Sequence, residues 1–264
     1  MRRKGIPVPK VSILLPVYNG EKFLDETLKS IFNQTFKDFE FIIINDKSTD
    51  NSLKIIKNYK DARIMLINNK KNMGFAGSLN IGLKKARGKY IASCNQDDIS
   101  HPKRIEIEFN YLENNPHIFL VGTSAIYIDQ NGLEIRRFRK YDNYKMLAWR
   151  MRKSCVIIHP STMFRNEGIV SFDKHLEYGL YCNLLQKGKN LTNLTNFLIK
   201  FRVHSRAMSV YDKRNQEYLR DEVMKKFNDL DDPTNLFNKA FYSIKLLLHY
   251  IKTMREKKIL GLGK

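Results

Sequence analysis

Two adjacent carboxylates, Asp97 and Asp98, sit in Asn95-Gln-Asp-Asp98, directly after the strand-like run Lys89 to Cys94. Hard divalent cations take oxygen ligands and are commonly held by one or two carboxylates together with substrate phosphates, so the pair suits a metal and phosphate site. The bland alternative is capping of the helix that begins near Pro102, for which Ser100 is the better placed residue. Asp46, at the end of another apolar run, can accept hydrogen bonds from a base or ribose and equally reads as a turn residue before Ser48-Thr49. Tyr18, two residues after Pro16, offers either a stacking ring for an aromatic ligand or a rim to the core. His159 and His204 lack the spacing of a metal triad and read as structural. Arg202, His204 and Arg206 would meet a diphosphate if the loop after their strand folds over the site.

These residues need elements to hold them. Val11 to Leu15 and Phe39 to Ile44 are short, nearly continuous apolar runs, the pattern of strands buried on both faces. Between them Phe23, Leu24, Thr27, Leu28, Ile31 and Phe32 recur at helical spacing over 21–33. A second helix follows Ser48-Thr-Asp50, which supply cap candidates. A third strand (63–67), a third helix (74–87) and a fourth strand (89–94) complete a βαβαβαβ alternation, which implies parallel crossovers in a doubly wound sheet. Ligands of such sheets sit beyond the carboxyl ends of the strands, where Tyr18-Asn19, Asn45-Asp46 and Asn95 to Asp98 fall.

The second half changes pattern. A helix after Ser100 ends near Pro116. Residues 119–128, the Asn131-Gly132 turn and 133–138 read as a β-hairpin, with further strands at 155–158, 162–164 and 197–203 and a helix over 176–187 ended by Gly188. No Gly/Pro/Ser-rich linker separates the halves, so they are expected to share one core. Beyond Asp212 the chain reads as helical and charged. Residues 240–251 are apolar and aromatic, and 252–264 carry five Lys/Arg against one Glu. A basic helix at a membrane surface has this composition, and so does a helix packed on the domain with a solvated end.

Composition sets outer limits. The 264 residues hold 47 Lys+Arg against 27 Asp+Glu, a formal charge of +20, with 42% hydrophobic residues, enough for a sizeable core. No run reaches the ~18–20 apolar residues of a membrane span, and the start lacks the apolar run of a signal peptide. Cys94, Cys155 and Cys182 form no C-x-x-C pair, which argues against a disulfide framework and fits a reducing cytoplasm. The charge alone would admit nucleic acid, but no nucleic-acid-binding signature accompanies it.

In combination, Val11-Ser-Ile-Leu-Leu-Pro-Val-Tyr-Asn19, Asn33-Gln-Thr35, Asn45-Asp-Lys-Ser-Thr-Asp50, Asn72-Met-Gly-Phe-Ala-Gly-Ser-Leu-Asn80, Ala86-Arg-Gly-Lys-Tyr-Ile91 and Asn95-Gln-Asp-Asp-Ile-Ser-His-Pro102 are ordered segments. With Ile158-His-Pro-Ser161 and Phe201-Arg-Val-His204 they resemble family 2 glycosyltransferases over roughly residues 9–209. The resemblance implies a GT-A fold: an α/β, Rossmann-like, mostly parallel sheet with helices on both faces and a mixed α+β acceptor half. On this reading 1–210 is the transferase domain, with a nucleotide-sugar half at about 9–116 and an acceptor half at about 117–210. Residues 211–264 are a basic helical tail.

The implied activity is inverting transfer from a nucleoside-diphosphate sugar to a hydroxyl acceptor, a saccharide or lipid-linked glycan, in the cytoplasm or at the inner face of the membrane through 240–264. Pro16 and Tyr18 would line the nucleoside pocket, Asp46 would bond the base edge and Asn80 would lie near the donor. Asp97 and Asp98 would hold ribose and a Mg or Mn ion, and Glu177 would be the base. The chain departs from the family pattern at three single positions and one segment: Asn45 and Asn95 replace acids, Lys47 replaces a glycine, and Leu176-Glu-Tyr-Gly179 replaces a segment with further acids. These replacements motivate a second expectation, a catalytically silent domain that binds a nucleotide or a partner protein.

Overall fold

The computed structural model describes residues 8–139, 144–151, 155–205, 221–223 and 225. The chain divides into two compact units, Met1–Met224 and Lys225–Lys264. The first is described here. The expected tail helix at 240–264 and Arg206 lie outside the described residues.

Nine strands form one sheet. β1 (Val11–Val17), β2 (Phe39–Asn45), β3 (Ile64–Asn68) and β4 (Tyr90–Ser93) pair in parallel in the order β3-β2-β1-β4. α1 (Leu24–Phe32), α2 (Ser52–Asn58) and α3 (Gly74–Leu83) make the crossovers. Every residue of β1 and β2 is buried, as their unbroken apolar runs require of strands covered on both faces. Pro16 is tolerated in central β1 because the register with β4 stops at Leu14–Ser93, so its missing N–H falls beyond that ladder.

The order then turns antiparallel. β4 pairs β8 (Met163–Arg165), β8 pairs β6 (Ile118–Ile128), and β6 runs parallel to β9 (Asn190–Arg202). Among the described residues β7 (Glu134–Phe138) pairs only β6, and the two-residue β5 (Ile99–Ser100) pairs the far end of β9. α4 (Arg104–Asn114), α5 (Tyr144–Met151) and α6 (Leu176–Gln186) complete the described elements. One core joins Leu15, Phe41 and Leu28 to Val121, Met163 and Leu194, so the halves do share a core.

Four expectations need correction. Ser100 caps nothing: it is a β5 residue whose Oγ accepts from Arg104 Nη1 at 3.2 Å, and α4 begins after Lys103 without a side-chain cap. Residues 155–158 form no strand but lead into a 3-10 turn, His159–Ser161. α3 ends at Leu83 rather than 87, because 86–88 are drawn under the sheet. There the Ser12 hydroxyl accepts from Arg87 N–H at 3.2 Å and Gly88 N–H at 2.8 Å and donates to Glu40 at 2.6 Å. β9 starts at Asn190, seven residues before the expected strand.

α4 carries a fully buried ion pair. Arg104 Nε donates to Glu108 at 2.9 Å, and its Nη2 donates to the carbonyls of Ser93 at 2.8 Å and Thr162 at 3.3 Å. One side chain thereby ties the end of β4 to the turn before β8. Burial pushes the Glu108 carboxyl up to about 7, although Arg104 pulls it down.

Candidate active site

Three loops leave the carboxyl edge of the parallel strands side by side: 18–23 after β1, 46–51 after β2 and 94–98 after β4. The first two are tied together. Asn19, at φ 49°, accepts the Thr49 N–H at 2.8 Å, while Gly20 N–H donates to Ser52 Oγ and Glu21 N–H to Asp50, each at 2.9 Å. Asp50 also accepts the Ser52 N–H at 2.9 Å, so it satisfies the start of α2 although Asn51 is the flanking residue. Lys47, where the family pattern has glycine, sits at φ 59°. The left-handed turn thus persists with a side chain that disfavours it.

Gln96 joins the first loop to the third. Its Oε1 accepts the Tyr18 N–H at 2.8 Å and its Nε2 donates to the Tyr18 carbonyl at 3.0 Å. A Cβ at Gly20 would lie 2.5 Å from that Oε1, so a side chain there would displace Gln96 from Tyr18. The Tyr18 side chain is left 48% exposed at the mouth of the site. Asp46 is buried, and its Oδ1 accepts from Asn69 Nδ2 and Met73 N–H, both at 2.8 Å, fixing the start of α3. Asn45 is buried too, donating to Asn68 at 3.2 Å. That donation is one a carboxylate cannot make.

Asp98 is 2% exposed. Its Oδ1 accepts the Arg202 N–H at 2.8 Å, a bond set up by the β5–β9 pairing, and its Oδ2 is buried with no hydrogen-bond partner. Burial first and the Asp97 charge second hold the Asp98 carboxyl well above the usual carboxylate range, against the N–H bond and the charge of Arg202. The amide at Asn95 has an electrostatic reason: a third acid beside Asp97 would push the buried Asp98 carboxyl up further, whereas an amide adds no charge. Asp97 Oδ2 lies 2.9 Å from His204 Nε2, and the His204 ring packs on Phe23 with centroids 4.9 Å apart.

Arg202 is a scaffold at this site. Its Nε donates to the Asp97 carbonyl at 3.0 Å, its Nη1 to the carbonyls of Asp129 and Gln130 at 3.3 Å each, and its Nη2 pairs with Glu26. The guanidinium is committed to these partners. The expectation that Arg202 and His204 meet a diphosphate is corrected here: the Arg202 guanidinium is spent on main-chain carbonyls and Glu26, and His204 is turned to Asp97. Gln96 was not assigned a role by sequence reasoning.

Asn80, on α3, meets a loop of the second half, and Glu177 lies in the first turn of α6 beyond that loop. Asn80 Nδ2 donates to the Phe172 carbonyl at 2.7 Å and its Oδ1 accepts the Phe172 N–H at 2.9 Å. Its amide is thus spent on clamping α3 to the 172 loop. A cavity of about 440 Å3 on that flank is lined by Asn80, Lys84, Arg165, Glu167 and Ser171 among others, and by none of Tyr18, Asp46, Asp97 or Asp98. Glu177 opens α6, half-buried, and burial raises its carboxyl above the ordinary value. Gly179 is required by packing, since a Cβ there would lie 2.6 Å from that of His175. His159 is buried, with Nδ1 3.1 Å from the Tyr181 hydroxyl, and burial together with Arg104 pushes its imidazole down to about 3, so it is neutral.

A parallel sheet whose loops gather two adjacent acids, one of them buried, at its carboxyl edge, joined to a mixed second half, defines an α/β protein with its ligand site at that edge. Residues 12–170 match the family model described as glycosyl transferase family 2. The chain is 37% identical over 210 residues to an uncharacterized glycosyltransferase of Methanocaldococcus jannaschii, covering 75% of this chain and 72% of that protein. It is 30% identical over 253 residues to the Escherichia coli UDP-Glc:alpha-D-GlcNAc-diphosphoundecaprenol beta-1,3-glucosyltransferase WfaP, covering 94% and 98%. The chain belongs to glycosyl transferase family 2.

Solved structures agree on the fold. Staphylococcus aureus TarS 1–349 in complex with UDP-GlcNAc superposes with a TM-score of 0.64 at 18% identity, over 83% of this chain and 71% of that one. The chain spans 60% of TarS 1–349 in another of its structures. The mannosyltransferase PcManGT of Pyrobaculum calidifontis, in complex with GDP-Man and Mn2+, gives 0.65 at 16% identity, over 86% and 66%. The fold is GT-A, as the sequence resemblance implied. Among the described residues no helix is long and apolar enough to cross a membrane.

Proposed function

We propose that this protein transfers a sugar from a nucleoside-diphosphate donor to a hydroxyl acceptor, with inversion and with a Mg or Mn ion held by Asp97 and Asp98. The observation that carries the reading is the Asp98 carboxylate, buried beside a second acid with Oδ2 lacking any partner. Such an oxygen is costly to bury unless a cation or proton meets it. Among the described residues no three His, Cys, Asp or Glu side chains cluster as a closed metal cage. Two carboxylates with diphosphate oxygens and water completing the shell are the arrangement Mg favours, so the donor set fits. A bound ion would supply Lewis-acid stabilisation of the departing diphosphate.

The protein's own residues do the rest. Tyr18 stacks on the base, Pro16 backs it, and Asp46 accepts from the base edge through the oxygen not spent on Asn69 and Met73. Asn80 holds α3 against the acceptor loop. Glu177 takes the acceptor hydroxyl proton as that oxygen bonds to the sugar's C1 and the C1–diphosphate bond breaks, its electron pair leaving with the nucleoside diphosphate. The resemblance to WfaP favours a lipid-linked glycan as acceptor, and the basic 240–264 segment suits contact with the membrane that carries it.

A thermal-shift panel of UDP- and GDP-sugars with and without Mn tests donor and metal together, since a ligand that binds only the folded state stabilises it. Stabilisation that needs Mn and disappears in Asp98→Ala, with nucleoside diphosphate released in the presence of acceptor, is the expected result. Donor stabilisation unchanged in Asp98→Ala sinks the metal assignment. Binding without turnover across an acceptor panel favours a silent domain, although Asn45, Asn95 and Gly179 each have a structural reason to differ from the family pattern.

A further inference from the structure

The β6–β7 hairpin carries side chains that neither the core nor the site uses. All five residues of β7 are exposed, as are Leu133 before it and Arg139 after it. Leu133 is 68% exposed, Ile135 56% and Phe138 40%. The other large exposed hydrophobics among the described residues are Tyr18 and Met73, in the donor-side loops, and Val8. Leu133 and Ile135, two residues apart, leave the hairpin with an exposed apolar tip of the kind that serves as an interaction surface.

The same seven residues hold Arg136, Arg137 and Arg139 against Glu134. Glu134 is paired with Arg137 at 2.8 Å, so Arg136 and Arg139 leave the hairpin positive. The Arg136 guanidinium lies over the Tyr127 ring at 4.4 Å, which holds its charge on the hairpin. The hairpin is also close to the chemistry. Its turn carbonyls, Asp129 and Gln130, accept from the same Arg202 that donates to the Asp97 carbonyl.

We propose that this hairpin docks on an anionic lipid surface, with Leu133 and Ile135 entering the headgroup boundary and Arg136 and Arg139 against lipid phosphates. Apolar tips flanked by cations bind such surfaces through combined burial and charge attraction. Charge selects this occupant over a second copy of the chain. Edge-to-edge pairing of two β7 strands would gather Arg136 and Arg137 of both copies along one short ladder, where like charges destabilise pairing, and the net +20 charge repels a second copy while attracting an anionic bilayer. Lipid docking stands independently of catalysis; only its link to a lipid-borne acceptor rests on the transferase reading, so the two fail separately.

The test uses the full chain carrying Leu133→Cys in a Cys155→Ser background, labelled with an environment-sensitive fluorophore; Cys94 and Cys182 are buried. Vesicles of equal parts phosphatidylglycerol and phosphatidylcholine should shift the emission to the blue, pure phosphatidylcholine should not, and high salt should reverse the shift. In the unlabelled protein Ile135→Glu should lower the partition into the anionic vesicles about tenfold and leave donor-induced thermal shifts unchanged. Emission unchanged by anionic vesicles overturns the proposal, even if the chain sediments with them through another segment. A concentration-dependent dimer that Ile135→Glu abolishes, with no vesicle response, overturns it in favour of a second copy.

Discussion

Replacing Arg104 with Met should produce a stability deficit that grows with pH. In the wild-type protein Glu108 is raised from 4.5 to about 7, so its contribution is full below 4.5 and is lost as pH rises through 7. At about 1.4 kcal/mol per pH unit, that loss comes to about 3 kcal/mol. Arg104→Met removes the cation that holds the carboxyl down, so the folded-state value climbs and the loss continues above pH 7. It also deprives the Ser93 and Thr162 carbonyls and Ser100 Oγ of a donor, at a cost of about 1–3 kcal/mol at any pH. The expected deficit is therefore about 1–3 kcal/mol near pH 6 and about 3–5 kcal/mol near pH 8.5. The double variant Arg104→Met/Glu108→Leu keeps only the pH-independent part and should be the more stable of the two at about pH 8.5. Urea unfolding across this pH range measures both. A single-variant deficit that stays flat with pH, or a double variant no more stable than the single at high pH, would refute the reasoning.

Glu177→Gln should lower kcat by about 10²–10⁴-fold while leaving the donor Kd in place. Because burial raises the Glu177 carboxyl, the acid limb of the wild-type pH–rate profile should lie above 4.5 and vanish in the variant. Lys47→Gly should stabilise the protein by about 0.5–1 kcal/mol, read by thermal unfolding, because it relieves the φ of 59°. Gly88→Ala should cost about 1–3 kcal/mol in the same assay, since its Cβ would lie 2.5 Å from the Ser12 backbone nitrogen.

The parallel half of the fold was legible because its strands are unbroken apolar runs and its helices repeat at 3.6 residues, signals carried by neighbours in the chain. The same holds for the Asn131-Gly132 hairpin, where Gly132 adopts φ 86°. What sequence reasoning missed depends on distant partners. β9 begins in Asn190-Leu-Thr-Asn, which reads as polar loop, yet Thr192 and Asn193 are buried against β6. Ser100 has the composition of a cap, and β9 takes it into the sheet instead. At the site, Asp97 and Asp98 stood out as adjacent acids at a strand end. Arg202 reaches Asp97 across 105 residues and Gln96 reaches Tyr18 across 78, separations that no local pattern encodes. The amide at 45 looks like a loss in sequence and becomes a hydrogen-bond donor to Asn68 in three dimensions, while the amide at 95 spares buried Asp98 a further like charge.

The bond pair between Asn80 and Phe172 has a consequence for how such a protein can diversify. Both bonds on the 172 side go to main-chain atoms, 92 residues away. The clamp fixes where the 172 loop sits and is indifferent to which side chains that loop bears. Loop residues can therefore be exchanged while α3 keeps its place. Position is inherited through the backbone, and side-chain identity is free to drift.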